Sequence, residues 1–143
     1  MDTLAPTETE GSVVDRETVL VAAVDVALLA ALIVVGQRSH GIDPITQPAA
    51  SLETVAPFVI GWLAVSVLAG LYARGSSMGI VQTTRTVAVV WLAAANVGVL
   101  LRASSLFDGS AEWPFPLVIT GFGLIVLVGW RIGYAVVTAR SGR

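Results

Sequence analysis

The sequence predicts an all-α integral membrane protein whose body is a four-helix transmembrane bundle. Three observations carry this expectation. Apolar residues make up 55% of the chain and charged residues only 13%, against about 25% charged in soluble domains. The apolar residues fall into four long blocks instead of being spread along the chain. Each block matches the roughly 20 residues, at ~1.5 Å of rise apiece, that cross ~30 Å of hydrocarbon. A chain of 143 residues has room for one such domain.

Residues 1–18 hold Pro, Thr, Ser and the acids Asp2, Glu8, Glu10, Asp15 and Glu17, without apolar periodicity. They predict a disordered acidic tail. The tail lacks the basic start and small-residue cleavage site of a signal peptide, so the first helix is expected to stay in the mature protein. The transmembrane domain is expected over 19–139, with helices at about 19–36, 55–73, 80–101 and 113–138 and a short tail at 140–143. Pro57 is placed near the first turn of the second helix, where a missing N–H does no harm. Pro114 and Pro116 open the fourth. Backbone in lipid must satisfy its own hydrogen bonds, so each block should be helical. The blocks are too long for barrel strands and do not alternate. Residues 37–54, with Gly41, Asp43, Pro44 and Pro48, read as a loop. Residues 74–79 read as a tight turn that makes the second and third helices antiparallel neighbours.

The chain has eight basic residues, all Arg. With four spans, Arg16, Arg74, Arg85, Arg131, Arg140 and Arg143 share one side, and Arg38 and Arg102 lie on the other. The excess of cations on cytoplasmic loops predicts a multi-pass protein of the cell membrane with both termini in the cytoplasm. Trp113 and Trp130 are expected at the interfaces. The absence of Lys, the Ala/Val richness and the acidic tail suggest a salt-adapted prokaryote. No basic patch points to nucleic acid. There is no Cys and His40 is the sole His, so no disulfide framework, thiolate nucleophile or multi-histidine metal site is expected. No phosphate-binding loop, dinucleotide fingerprint or nucleophile elbow is present. No catalytic residue and no cofactor are predicted. The second and fourth helices share a Pro-Phe opening, at Pro57-Phe58 and Pro114-Phe115, and at that offset Arg74 aligns with Arg131. A two-helix duplication and chance similarity both account for this.

Ionisable residues in a span are costly and usually face the bundle interior. Asp25 lies about two turns into the first helix, and Arg131 about two turns before the end of the fourth. Arg85 enters the third helix from the same side. These three are expected to form a charged layer, with Arg85 either joining it or snorkelling to the interface. Asp25 with Arg131 reads either as a clamp between two helices or as a site for a proton, ion or polar ligand. Residues eleven apart share a helix face. Asp25 and Gly36, Arg85 and Asn96, and Thr120 and Arg131 are so spaced, which assigns Asn96 to the polar interior. On the opposite side Arg38, Ser39, His40 and Arg102 form a candidate outer mouth, with Glu112 nearby. Ser66 with Gly70 and Gly129 with Gly133 are small residues four apart, suited to close packing within or between protomers.

Several pieces together resemble a known family. They are Gly36-Gln37-Arg38-Ser39-His40-Gly41 after Asp25, Pro57-Phe58-Val59-Ile60-Gly61-Trp62, Arg85 through Trp91 with Leu100-Leu101-Arg102, and Gly129-Trp130-Arg131. The chain resembles the small prokaryotic membrane proteins grouped as domain of unknown function 3054, over about residues 19–134. The resemblance implies four membrane spans and a haloarchaeal type of source, and no activity. The expected role is therefore a structural or accessory membrane subunit that contacts the lipid bilayer and is able to form a homo-oligomer. A small oligomeric transporter or channel using the Asp25/Arg131 layer is the alternative.

Overall fold

The computed structural model describes residues 15–74, 78–107 and 109–142. The tail expected at 1–18 falls largely outside them. Five helices follow one another: α1 (Arg16–Ser39), α2 (Pro48–Leu68), α3 (Leu71–Arg74), α4 (Ile80–Arg102) and α5 (Phe115–Ser141). The four long ones are each long and apolar enough to cross a membrane. Their contacts close a ring, with α1 against α2 and α5, and α4 against α2 and α5. The architecture is an all-α four-helix transmembrane bundle.

α1 starts three residues before the expected position because Asp15 accepts a hydrogen bond from the Glu17 N–H at its N-terminus. Its buried residues, Val21, Asp25, Leu29, Ile33 and Gln37, run along a single row four apart. α5 does the same with Ile119, Gly123, Leu127 and Arg131. Such rows are the ridges by which helices pack.

The second span differs from expectation at both ends. It begins at Pro48, seven residues early, with Asp43 turning the chain through bonds from Ile45 N–H and Gln47 N–H. Residues 48–54 are only moderately apolar, so hydropathy did not mark them. They are held by a reciprocal pair: Gln37 Nε2 donates to the Ser51 carbonyl at 3.0 Å and Ser51 Oγ donates to Gln37 Oε1 at 2.7 Å. Pro57 consequently sits inside the helix and removes the bond that would reach the Glu53 carbonyl. At the other end Gly70, at φ 67°, stops α2. A left-handed backbone suits Gly and terminates helices. The chain is then re-aimed into the single turn of α3.

The core lies mainly along the seam of α2 and α4. A Cβ on Gly61 would stand 2.6 Å from the Ala94 carbonyl oxygen, and one on Gly98 would stand 2.5 Å from the Phe58 ring. These glycines let two backbones approach closely. Phe58 meets Phe115 edge-on at 5.8 Å, and Trp62 meets Trp91 at 6.3 Å. Trp91 covers Gly123, where an added Cβ would lie 2.2 Å from the indole. Its Nε1 donates to the Thr120 carbonyl of α5 at 2.9 Å, so an indole buried in the core keeps its donor satisfied.

Candidate functional site

Asp25 is completely buried, nine residues into α1. A carboxylate in that position needs partners for its charge and its lone pairs. Arg131 of α5 supplies both, with Nε 3.0 Å from Oδ1 and Nη2 2.6 Å from Oδ2. This is a two-point guanidinium–carboxylate contact, the strongest geometry for such a pair. Trp130, the preceding residue, donates its Nε1–H to Oδ1 at 3.0 Å. Successive residues on a helix diverge by about 100°, so Trp130 and Arg131 approach the carboxylate from two sides.

The fourth bond comes from Tyr72, whose hydroxyl donates to Oδ2 at 2.7 Å. The same hydroxyl accepts the Trp62 Nε1–H at 2.9 Å. The Arg131 guanidinium lies over the Tyr72 ring at 5.6 Å, within the range of cation–π attraction. The turn at Gly70 is what brings Tyr72 here. α1, α2, α3 and α5 are thus joined by one chain of hydrogen bonds, each of which polarises the next.

A carboxylate offers about four lone-pair sites, and here four donors address them. Beside the cluster, Tyr134 donates its hydroxyl to Glu17 and packs its ring, tilted by 44°, against Trp130 at 5.4 Å. A cleft of about 660 Å³ opens on this end of the bundle, with Glu17, Tyr72, Arg74, Thr83, Arg131 and Tyr134 on its walls.

Several sequence-predicted site residues lie elsewhere. Arg85 is exposed and does not join Asp25 and Arg131; Thr83 and Val87 hold the inward face of α4 at that level. Asn96 is exposed too, and its Nδ2 donates to the Leu92 carbonyl at 2.7 Å. Their common phase is real, but the shared face points out of the bundle. On α1 Gln37, not Gly36, takes the buried position.

The outer mouth is not assembled. Arg38, Ser39 and His40 are exposed. Ser39 Oγ reaches back toward the Val35 carbonyl and the His40 N–H closes on the Gln37 carbonyl. Arg102 donates to the Ser110 carbonyl at 2.8 Å and covers the Phe115 ring at 5.1 Å. Among the described residues no hydrogen bond or ion pair joins Arg102 or Glu112 to Arg38, Ser39 or His40. Ser39 and Arg102 each find a partner near in sequence instead.

Of the four expected packing residues, only Ser66 lies in the core. Ser66 is buried, and its Oγ has no partner among the described residues. Gly70 serves a turn, and an added Cβ there meets nothing within 4 Å. Gly129 and Gly133 are equally open: an added Cβ on either meets nothing within 4 Å among the described residues. Gly61, Gly98 and Gly123 make the close approaches instead. Tyr72, Trp62 and the Gln37–Ser51 pair were missed as well. A buried polar residue four from Ile33 on the Asp25 row would have been the signal for Gln37.

The profile of the family described as Protein of unknown function (DUF3054) matches residues 22–134. That span starts just before Asp25 and ends at Tyr134, so it takes in the whole hydrogen-bonded cluster. No curated protein and no solved structure matches the chain.

Proposed function

The chain belongs to the DUF3054 family, and from that premise we propose that it is a non-catalytic structural or accessory subunit of the cell membrane. In this reading the Asp25–Arg131 pair clamps the first and last spans, and both termini face the cytoplasm. One observation carries it: the Asp25 carboxylate accepts four hydrogen bonds. A carboxylate that carries a proton or an ion has to release partners at each cycle. Breaking a buried pair of this kind leaves an uncompensated charge, at about 3–5 kcal/mol.

The cleft beside Arg131 favours a second reading, a carrier for a small polar solute in an oligomer. Reconstitution separates the two. Purified protein in liposomes is expected to give no proton or ion flux above empty vesicles, with Asp25→Asn lowering the melting temperature and leaving flux unchanged. Flux that Asp25→Asn abolishes while the helical spectrum is kept would replace the clamp by the carrier.

A further inference from the structure

α4 has a second face that the bundle does not use. Asn96 stands on it, six residues before the end of the helix, so ~9 Å inside the span. One N–H of its amide is bonded to the Leu92 carbonyl. An amide has two N–H donors and a carbonyl acceptor, so one donor and the acceptor have no partner among the described residues. Lipid at that depth offers neither. Polar residues in spans normally turn inward, and this one turns outward.

Its neighbours repeat with a seven-residue period. Gln82, Val89 and Asn96 are seven apart, and Arg85, Leu92 and Val99 fill the positions three residues after each. The first five of these in chain order are exposed, Val89 at 66%; Val99, at the edge of the face, is half-buried against the core. Steps of three and four are the seam of a two-helix coil. Gln82 and Arg85 are polar and lie in the first two turns. Deeper in the span Val89 is β-branched at the first position, Leu92 is Leu at the second and Asn96 is the one Asn, a set that favours a parallel pair in a single register.

We propose that this face of α4 is the interface with a second copy of the chain, with the two Asn96 amides paired across a two-fold axis along the membrane normal. Copies in one membrane insert in the same sense, so their α4 helices run parallel and like positions meet. Each Asn96 then gives the other the donor and acceptor it lacks. Arg85, five residues from the start of α4, reaches the headgroups and relieves the repulsion between like charges. The inference rests on the outward face of α4 and not on the role given to Asp25.

The chain contains no Cys, so single reporters test it in membranes before extraction. Val89→Cys is expected to give oxidative dimers, and Val67→Cys on the exposed face of α2 is not. In lipid discs the mass should be that of two copies. Asn96→Leu should raise the dissociation constant about 3- to 30-fold, the span of measured interhelical polar contacts. Asn96→Gln should keep most of the affinity, and the helical spectrum should be the same in both variants. Four results would each overturn the proposal: a monomeric mass, a complex with a different protein in place of the second copy, cross-linking through Val67→Cys but not Val89→Cys, or an unchanged dissociation constant in Asn96→Leu.

Discussion

At the end of the bundle where α1 begins and α5 ends, Trp62, Tyr72, Trp130 and Arg131 reach from three helices to one carboxylate on a fourth, directly or through one another. At the other end Ser39 and His40 bond within their own helix end, and Arg102 turns to the Ser110 carbonyl and the Phe115 ring, so Arg38, Ser39, His40 and Arg102 do not converge. Both groups contain arginine and other hydrogen-bonding side chains, and burial separates them. A buried charge leaves its partners no alternative, since desolvation punishes every unmade bond. At a wet helix end water competes for each group, and convergence brings little.

This contrast is tested most severely at Asp25. Asp25→Ala should cost about 3–5 kcal/mol, because Arg131 is left buried and unpaired. Arg131→Met in the same chain should restore part of it, and the coupling is read from denaturation of the four members of the cycle. Additive losses would remove the pair as the reason for the difference between the ends.

A second comparison sets the core glycines against the open ones. Gly123→Ala should destabilise by about 1–3 kcal/mol through overpacking against Trp91. Gly129→Ala, with nothing within 4 Å, should change the stability by less than about 0.5 kcal/mol. Equal effects would mean that close approach does not distinguish the faces of α5.

The network around the carboxylate is sharpened by Tyr72→Phe. It removes one donor to Asp25 and the acceptor of Trp62, for about 1–3 kcal/mol. The Gln37–Ser51 pair offers a test of the opposite end, where burial returns locally. Ser51→Ala should cost about 1–2 kcal/mol there, measured by urea denaturation in detergent.

The smallest effects are expected at the water-exposed end. Arg38→Ala and His40→Ala should each stay within about 0.5 kcal/mol. A loss above 2 kcal/mol in either would show a contact at that end comparable to the Asp25 cluster, and the comparison would fail.

The count of spans, their helical nature and the chemical mismatch of Asp25 and Arg131 with lipid were legible in the residues alone. Hydropathy and length report directly on transfer into a bilayer, so they need no neighbour to be interpreted. The shared phase of Arg85 and Asn96, eleven residues apart, was legible in the same way, because it is a property of one helix. Which side of α4 that phase faces was not, since facing is defined only by what packs opposite. Tyr72 reaches Asp25 because Gly70 breaks the second span, and nothing in the hydropathy of residues 55–73 marks that break. The start of α2 at Pro48 likewise depends on Gln37 and Ser51, fourteen residues apart, meeting across two helices. Partition into the membrane is a sum over single residues, and the sequence determines it. The identity of the fourth donor to Asp25, the outward turn of Asn96 and the use of Gly61, Gly98 and Gly123 as contacts arise from pairs of segments. Only the tertiary structure decides them.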